Sequence, residues 1–494
     1  MIDWSTHSEL TALTHLDGRN SHKLTGVRPY FSEFAWMKMR LGVMVDYLAA
    51  LYKFIGDRPI SSVIKQSMTA IARNFSLADA RTIARLEATT NHDLKAIEQF
   101  FVMMLNKKNL AAFVPYVNLG IGSEDINSIA MGRLVGECRE LVLLPCFQKI
   151  ASCLIALAEA EKNTIMVART HAQAANVTTF GKEMANPLLR LCDEVEIFTS
   201  LTFSAKCTGE VGSLQGFFAI DKGRNWLVFT DGFVRGYGLI PSHAATQIAP
   251  YDSMVRFLQS LERINNILLD FVKNMWLYVL VGYVRVTKVE TEVGSAGMPH
   301  KVNPIYFEGA EGGLEMANGM LETLSRTLLV NRLQRDFSDS TARRSVSMPI
   351  GLSVLSYQSI EEGLKRLSVD REAIALSLDR HQEICLESVK VFCLRRGVPD
   401  IYPSYAGLQP EGLSKRLRWV DTETIPIVFG IYDWLKDKTR GKTLNVKEFQ
   451  ELLEELPIDV QGKQELKTML SAVNPYPAKI VMEGVKRAKH IFRL

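Results

Sequence analysis

The 494-residue chain carries 58 lysine and arginine residues against 54 aspartate and glutamate residues, a formal net charge of +4. This small excess gives no reason to expect nucleic acid as a partner, although a local basic cluster could bind a small anion. Hydrophobic residues make up 47% of the chain and the seven cysteines form no CxxC pair, which predicts a large core, reduced cysteines and no structural metal.

Helices dominate the predicted secondary structure, beginning in the N-terminal quarter of the chain. Apolar residues recur at helical spacing within residues 90–104, after the polar cluster Asn91, His92 and Asp93. Thr90 or Asn91 is placed to cap the start of this helix. The polar cluster is therefore predicted to lie at a helix N-terminus.

Two further blocks, residues 137–200 and 251–290, show the same periodicity and exceed the length of about a dozen residues typical of globular helices. Few segments alternate like strands, so we predict an all-α fold with a bundle of long helices. The apolar segment 265–284 contains Asp270 and Lys273, which make a membrane span costly. The first residues also lack the features of a signal peptide, so we expect a cytoplasmic protein with no membrane partner.

Glycine and small polar residues interrupt the helical pattern at 118–127, 208–216 and 292–304. Such loops between strong helices are where binding and catalytic residues are expected. Near residue 370 the character of the sequence changes, and a loop rich in proline and glycine follows at 402–412. This change predicts the last domain boundary.

The third of these loops contains GSAGMPHKVNP, which begins at Gly294. Closure of such a loop over a substrate could bring Ser295 to it, while Lys301 neutralises a carboxylate. An ordinary solvated loop would have the same composition, and spacing alone does not separate the two interpretations.

A second candidate is His171 in the segment RTHAQ, residues 169–173, which follows an apolar run. Histidine can act as a general acid or base near neutral pH, because its unperturbed pKa is about 6.5. A single histidine beside an apolar face is also commonly a structural residue, and that alternative stays open.

A third candidate is RDFSDSTARR, residues 335–344, which gathers three arginines, three hydroxyls and two aspartates. Guanidinium groups beside hydroxyls suit a phosphate dianion through paired, charge-assisted hydrogen bonds. A solvated, salt-bridged helix start is the alternative for such a charge run. The chain shows no metal-ligand spacing, dinucleotide-binding glycine pattern or phosphate-cradling lysine loop.

Together these segments resemble the fumarase and aspartase superfamily, whose signature loop GSSxMPxKxNP corresponds to GSAGMPHKVNP here. Within the superfamily the chain is similar to the bacterial type of adenylosuccinate lyase. The resemblance runs from about residue 13 to 374, through LDGR, TTNHDLKAIE, GSEDIN, RTHAQ, GKEMAN, MPHKVNP and QRDFSDST.

The resemblance implies three mostly helical domains, which we place at 1–112, 113–370 and 371–494. It implies a homotetramer whose central domains form a shared helical core and whose active sites draw on three subunits. The implied reactions are cleavage of adenylosuccinate to AMP and fumarate, and the analogous cleavage of the succinylated imidazole carboxamide nucleotide of purine synthesis. No metal or organic cofactor is implied.

The resemblance also implies roles for individual residues. Ser295 would be the base that removes the proton next to a substrate carboxylate, and His171 the acid that protonates the departing nitrogen. Lys301 and Asn303 would hold the carboxylate into which the carbanion charge spreads. The residues implied to bind the substrate, with Arg335, Ser340 and Arg344 assigned to the phosphate, are Arg19, Asn20, Asn91, His92, Asp93, Ser123, Gln247, Lys301, Asn303, Arg335, Ser340 and Arg344.

Four of the positions expected to line the ligand depart from the pattern of the family. Asn20 stands in place of a tyrosine, Gly122 of a threonine, Ala296 of a serine and Gly309 of an asparagine. Two interpretations follow. Either unusual residues elsewhere, Asn176 and Glu210, rebuild the same pocket, or the same fumarate-releasing chemistry acts on another N-succinyl compound.

Overall fold

The computed structural model describes residues 8–56, 60–291, 297–398, 400 and 430–494. Helices dominate this part of the chain, so the predicted all-α class is confirmed. The helices of the N-terminal half are α1 (Arg28–Phe31), α2 (Glu33–Gly56), α3 (Ser62–Arg73), α4 (Leu77–Thr90), α5 (Asp93–Lys107), α6 (Ser123–Cys138), α7 (Leu144–Ala160), α8 (Phe180–Ser200), α9 (Gln215–Ile220) and α10 (Trp226–Gly236).

The remaining helices include the longest one, of 29 residues. They are α11 (Asp252–Leu280), α12 (Ile305–Leu328), α13 (Ser338–Arg344), α14 (Ser347–Lys365), α15 (Arg371–Arg380), α16 (Leu386–Arg395), α17 (Ile431–Thr439), α18 (Val446–Glu454), α19 (Val460–Ser471) and α20 (Tyr476–Phe492). Short 3₁₀ turns lie at Ser21–Leu24, Ala111–Tyr116 and Gln382–Cys385, and a π-helical turn, Arg139–Leu143, joins α6 to α7.

Strands are short and form three two-stranded sheets in the described residues. The antiparallel pairs are β1 (Ile165–Thr170) with β2 (Gln173–Thr179) and β5 (Val284–Val286) with β6 (Leu367–Val369); the parallel pair is β3 (Ser204–Ala205) with β4 (Ile240–Pro241).

The predicted continuous helical block at 137–200 is wrong in its middle, because the β1–β2 hairpin interrupts it. Helix α7 ends at Ala160 and α8 begins at Phe180. Isoleucine, valine and threonine are frequent between these residues, and such β-branched side chains favour strands over helices. The block at 251–290 is also too long at its C-terminal end, where α11 stops at Leu280 and β5 follows.

One helical run among the described residues, Ser123–Ala160, is long and apolar enough to cross a membrane by length and composition alone. Core helices of soluble proteins pass the same test. The first turn of this run contains Glu124 and Asp125, whose carboxylates are buried in ion pairs within the protein.

Two compact units make up the chain, each from three segments. The first comprises 1–152, 190–276 and 303–365, and the second 153–189, 277–302 and 366–494. The three-domain division expected from the sequence stays a prediction.

Aromatic side chains form much of the core of the first unit. The rings of Phe147 and Phe198 lie 5.8 Å apart between centroids, Phe147 and Tyr357 5.1 Å, and Phe198 and Phe257 5.1 Å. Edge-to-face and stacked pairs at these distances add to the stabilisation from burial. Through these contacts α7, α8, α11 and α14 pack against one another.

A buried amide also links α11, α12 and α14. The Asn265 side chain on α11 donates to Asn318 Oδ1 on α12 and to Ser353 Oγ on α14, both at 3.0 Å, and accepts from Tyr357. Asn265 is fully buried, so these partners offset the cost of removing its amide from water.

The second unit has its own apolar cluster, formed by α16 to α19. Its buried members include Val389, Cys393, Leu435, Phe449 and Leu466. The β1–β2 hairpin of this unit packs against α15, α20 and the turn at Gln382–Cys385.

Candidate active site

Three loops of the first unit approach one another closely through glycine. A Cβ on Gly212, whose φ is +78°, would lie 2.0 Å from the carbonyl oxygen of Ala245. A Cβ on Gly216 would lie 2.9 Å from the carbonyl oxygen of Gly120. Side chains other than hydrogen do not fit at these two positions. The loops brought together in this way are 118–122, 208–216 and 245–247.

Asp125 anchors two of these loops from within helix α6. Its buried carboxylate accepts from the backbone N–H of Gly122 at 2.8 Å, Thr208 at 2.9 Å and Gly209 at 3.0 Å. The fully buried Lys206 ammonium lies 2.9 Å from the same carboxylate. Burial raises the pKa of Asp125, and Lys206 and the backbone donors offset only part of this rise, while the hydrogen bonds fix the backbone around the carboxylate. The backbone directly before the predicted substrate residue Ser123 is thus held in place.

The carboxylate of Glu210 occupies the space beside Gly122. A Cβ on Gly122 would lie 2.7 Å from Glu210 Oε2. Gln247 donates its side-chain amide to Glu210 Oε2 at 3.5 Å, and the Gln247 backbone N–H donates to the carbonyl of Gln334 at 3.2 Å. Glu210 therefore adjoins two positions expected to bind substrate.

Arginines of the 335–344 segment share one buried carboxylate. Glu124 lies 2.7 Å from Arg343 and 3.0 Å from Arg335, and only 4% of its side chain is exposed. Burial raises the pKa of Glu124, but the two arginines outweigh burial and bring the net pKa below its ordinary value. Arg335 also donates to Ser340 Oγ at 3.1 Å and lies 3.4 Å from Asp339. Arg335 and Ser340, both assigned to the phosphate, are in contact.

Asp93 connects the NHD cluster to the same segment. Its carboxylate lies 2.8 Å from the buried Arg40 and 3.5 Å from Arg344, and it accepts from the N–H of Leu94 at 2.7 Å. Burial raises the pKa of Asp93. Arg40, Arg344 and the hydrogen bond from the Leu94 N–H lower it by more than burial raises it, so the net shift is downward. Arg344 is 54% exposed and so can reach a ligand.

A small cavity of about 60 Å³ lies beside this contact. Its lining includes Tyr30, Trp36, Asp93, Arg343 and Arg344. Aromatic faces next to guanidinium groups favour a planar or anionic group, and a cavity of this volume has room for only a small part of a ligand.

The N-terminus of α5 differs in detail from the predicted one. His92, rather than Thr90 or Asn91, is the N-cap, and its ring Nδ1 accepts from the N–H of Lys95 at 3.3 Å. Asn91 instead ends α4 in a left-handed conformation with φ of 50°. The prediction that the NHD cluster lies at a helix N-terminus is confirmed.

His171 lies at the tip of the β1–β2 hairpin in the second unit. His171 and Ala172 form its two-residue turn, with φ of 51° and 62°. Two consecutive non-glycine residues in the left-handed region cost about 1–2 kcal/mol each, and such strain is common at functional positions. The His171 side chain is exposed, so it is available to a ligand.

Three further predicted residues come from the signature loop. Lys301 is exposed and closes a turn through its N–H to the carbonyl of Met298 at 3.1 Å. Asn303 is half-buried just before α12. Ser295, together with the departure at Ala296, lies outside the described residues.

Arg19 and Asn20 directly precede the first 3₁₀ turn. The Asn20 amide is 3.0 Å from His15 Nδ1, and Arg19 is exposed. At Gly309 on α12, a Cβ would lie 3.9 Å from Ser359 Oγ, an ordinary van der Waals contact, so a side chain could start there without a clash. Asn176, proposed as a compensating residue, donates to Glu387 within the second unit.

The predicted site residues fall in both units. The first unit contains Arg19, Asn20, Asn91, His92, Asp93, Ser123, Gln247, Asn303, Arg335, Ser340 and Arg344, and the second contains His171 and Lys301. Contacts join Asp93 to Arg344 and Arg335 to Ser340.

Sequence reasoning missed three charged residues of this site: Arg40, Glu124 and Arg343. Arg343 stood among the arginines of the 335–344 segment, but its sequence neighbours do not distinguish it from Arg344. Glu124 lies in the segment GSEDIN, and its position next to Ser123 is the only indication in the sequence that it belongs near the site.

A larger cavity, of about 1000 Å³, lies elsewhere in the first unit, between α2 and α10, and none of the predicted site residues lines it. The described residues contain no group of three or more histidine, cysteine, aspartate or glutamate side chains that could hold a metal ion.

Comparison with known proteins supports the architecture. The crystal structure of 3-carboxy-cis,cis-muconate lactonizing enzyme from Pseudomonas putida superposes with a TM-score of 0.64, covering 94% of this chain and 97% of that one. At 16% identity this likeness concerns the fold alone. A family model described as lyase matches residues 30–319, and one described as adenylosuccinate lyase C-terminal matches residues 331–410. The chain is thus of the lyase class.

Curated relatives narrow the class to one family. The adenylosuccinate lyase of Haemophilus influenzae is 32% identical over 94% of this chain and 96% of its own length. That of Dictyostelium discoideum is 35% identical over 88% and 95%, and that of Escherichia coli K12 30% identical over 94% and 96%. The chain belongs to the adenylosuccinate lyase family.

Proposed function

We propose that this protein cleaves the C–N bond of adenylosuccinate by β-elimination and releases AMP and fumarate. The observation that carries the proposal is the similarity, over 94% of the chain and 96% of the relative, to an adenylosuccinate lyase. Arg335 and Ser340, which are in contact, and Arg344, which lines the small aromatic cavity, supply guanidinium and hydroxyl donors of the kind that the phosphate of a nucleoside monophosphate accepts.

The proposed elimination needs a base and an acid on opposite sides of the bond being broken. Ser295 takes the proton from the carbon next to a substrate carboxylate, and the electron pair of that C–H bond becomes the new C=C bond. The C–N bond breaks, and His171 donates a proton to the departing nitrogen. The exposed position of His171 on a strained turn supports this role.

Lys301 and Asn303 are proposed to hold the carboxylate that carries charge in the transition state. An ammonium and an amide fixed at this carboxylate lower the barrier by electrostatic preorganisation. A serine hydroxyl is a weak base, so the positive charge of Lys301 also favours the deprotonated form of Ser295.

Arg335, Ser340 and Arg344 are proposed to bind the phosphate. The succinylated imidazole carboxamide nucleotide is proposed as a second substrate, and the cytoplasm as the location.

We propose a homotetramer built on the long helices. Large apolar side chains of the first unit are exposed on three long helices and on the π-helical turn between α6 and α7. Leu141 on this turn is 64% exposed, Ile197 on α8 50%, Trp276 on α11 40% and Met316 on α12 63%. Several such residues on neighbouring helices are typical of a surface covered by another subunit.

Incubating purified protein with adenylosuccinate, and following both the loss of its ultraviolet absorbance and the appearance of fumarate, tests the activity. We expect turnover in the wild type and in a His490→Ala control on the C-terminal helix, and none above background in Ser295→Ala. Absence of fumarate at high enzyme concentration would contradict the proposal.

A second candidate activity is the same elimination on another N-succinyl compound. The contact between Glu210 and the glycine at position 122 favours it, because a carboxylate lies where the family pattern has a neutral threonine. Greater fumarate release from other succinylated amines than from adenylosuccinate would support this candidate.

A further inference from the structure

The side chain of Glu210 fills the space left by the missing side chain of Gly122, although the two residues lie far apart in the sequence. A Cβ on Gly122 would lie 2.7 Å from Glu210 Oε2, 2.8 Å from Cδ and 3.1 Å from Oε1. All three distances are shorter than ordinary van der Waals contact, so the carboxylate at this place requires glycine at position 122. Conversely, the missing side chain of Gly122 creates the space that the carboxylate fills.

The backbone that carries Glu210 is held firmly while its side chain stays exposed. Gly209 donates its N–H to Asp125 Oδ2 at 3.0 Å, and its carbonyl accepts from the buried Lys206 ammonium at 2.6 Å. The carbonyl of Thr208 accepts from the N–H of Leu214 at 3.0 Å. The carboxylate therefore cannot leave the neighbourhood of α6, although its own torsions can turn it toward solvent.

This carboxylate changes the electrostatics beside two residues that are expected to bind the substrate, Ser123 and Gln247. Its Oε2 is 3.5 Å from the Gln247 amide, and Gly122 directly precedes Ser123. An amide and a hydroxyl are donors that suit a substrate anion, and the negative charge of Glu210 competes with such an anion for both. A hydrogen-bond donor on the substrate would instead be favoured beside Glu210.

We infer that Glu210 is a specificity-determining residue, admitted by Gly122, which disfavours a substrate anion beside Ser123 and Gln247 and favours a hydrogen-bond donor there. This inference rests on the proposed function for the location of the substrate. Its test, however, uses the dianion fumarate as a binding probe and so needs no turnover.

Three variants separate the effect of the charge of Glu210 from the effect of the space at Gly122. Glu210→Gln keeps the size of the side chain and removes its charge. Gly122→Ala pushes the carboxylate away, which is possible because the atoms it meets are the far end of a flexible side chain. The double variant combines both changes. Glu483→Gln, an exposed glutamate on α20, is the matched control.

Dissociation constants for fumarate are measured by calorimetry on the full chain at pH 7.5. Because the charge is exposed and screened, we expect a gain of about three- to five-fold in affinity for Glu210→Gln. Gly122→Ala should give a similar gain, the double variant no further gain, and Glu483→Gln no change. Equal or weaker binding by Glu210→Gln, or full additivity in the double variant, overturns the inference. Failure of the wild type to cleave adenylosuccinate would refute the proposed substrate and leave this result standing.

Discussion

Replacing Glu124 by glutamine keeps the shape of the side chain and removes the negative charge shared by Arg335 and Arg343. The Glu124 side chain is 4% exposed, and the arginine side chains are 15% and 10% exposed. Removing one partner of a buried ion pair costs about 3–5 kcal/mol, because the remaining charge stays buried. Since the amide still accepts a hydrogen bond, we expect a loss near the lower figure, about 3 kcal/mol.

Urea unfolding at a fixed protein concentration measures this loss. Glu137→Gln is the control, because Glu137 pairs with Arg133 at 2.6 Å on the surface, where both side chains are partly exposed. A surface pair of this kind contributes at most about 1 kcal/mol. Equal losses in the two variants would refute the reasoning, since burial would then make no difference to the value of the charge.

The same variant predicts a pH dependence. The net pKa of Glu124 is lowered in the folded protein, so its ionised form contributes stability above the ordinary carboxyl pKa. The difference between wild type and Glu124→Gln should therefore be constant above about pH 5.5 and shrink as the pH falls below about 4. A difference that grows in acid would contradict the predicted sign.

Four other substitutions test separate features of the account. Arg344→Ala should raise KM for adenylosuccinate by about ten- to one-hundred-fold through a lost hydrogen bond to a charged group, and an unchanged KM would remove it from the site. His171→Ala should lower kcat by about 10²- to 10⁴-fold without loss of folding, whereas wild-type kcat would exclude it as the acid. Ala172→Gly should relieve the left-handed turn and raise the stability by about 1 kcal/mol, and a destabilised variant would argue against strain there. Met316→Asp should reduce the mass measured by light scattering below that of the wild-type oligomer, and an unchanged mass would place this residue outside any interface.

Periodicity in the sequence was enough to predict the helical class, because long amphipathic stretches signal helices through their own residues. The same reasoning failed at the β1–β2 hairpin. Two-residue hairpin turns are normally recognised by glycine or asparagine, which adopt positive φ without strain. Here His171 and Ala172 adopt it, so the sequence carried no turn signal.

In the candidate site, too, some features could be predicted from the sequence and others could not. The NHD cluster was placed correctly at a helix N-terminus, because the apolar period of α5 fixes where that helix begins. The pairing of Arg343 with Glu124 joins residues 219 positions apart, and the sequence around an arginine does not reveal such a partner. The sequence marks Glu210 as an unusual residue for the family, but its contact with Gly122, 88 positions away, is evident only from the fold.

The most direct test of the central claim is a time course of adenylosuccinate with the wild-type enzyme, followed by proton NMR. The account predicts that AMP and fumarate appear in equal amounts as the substrate disappears, and that Ser295→Ala forms neither above background. Persistence of adenylosuccinate in the presence of folded wild-type protein would contradict it.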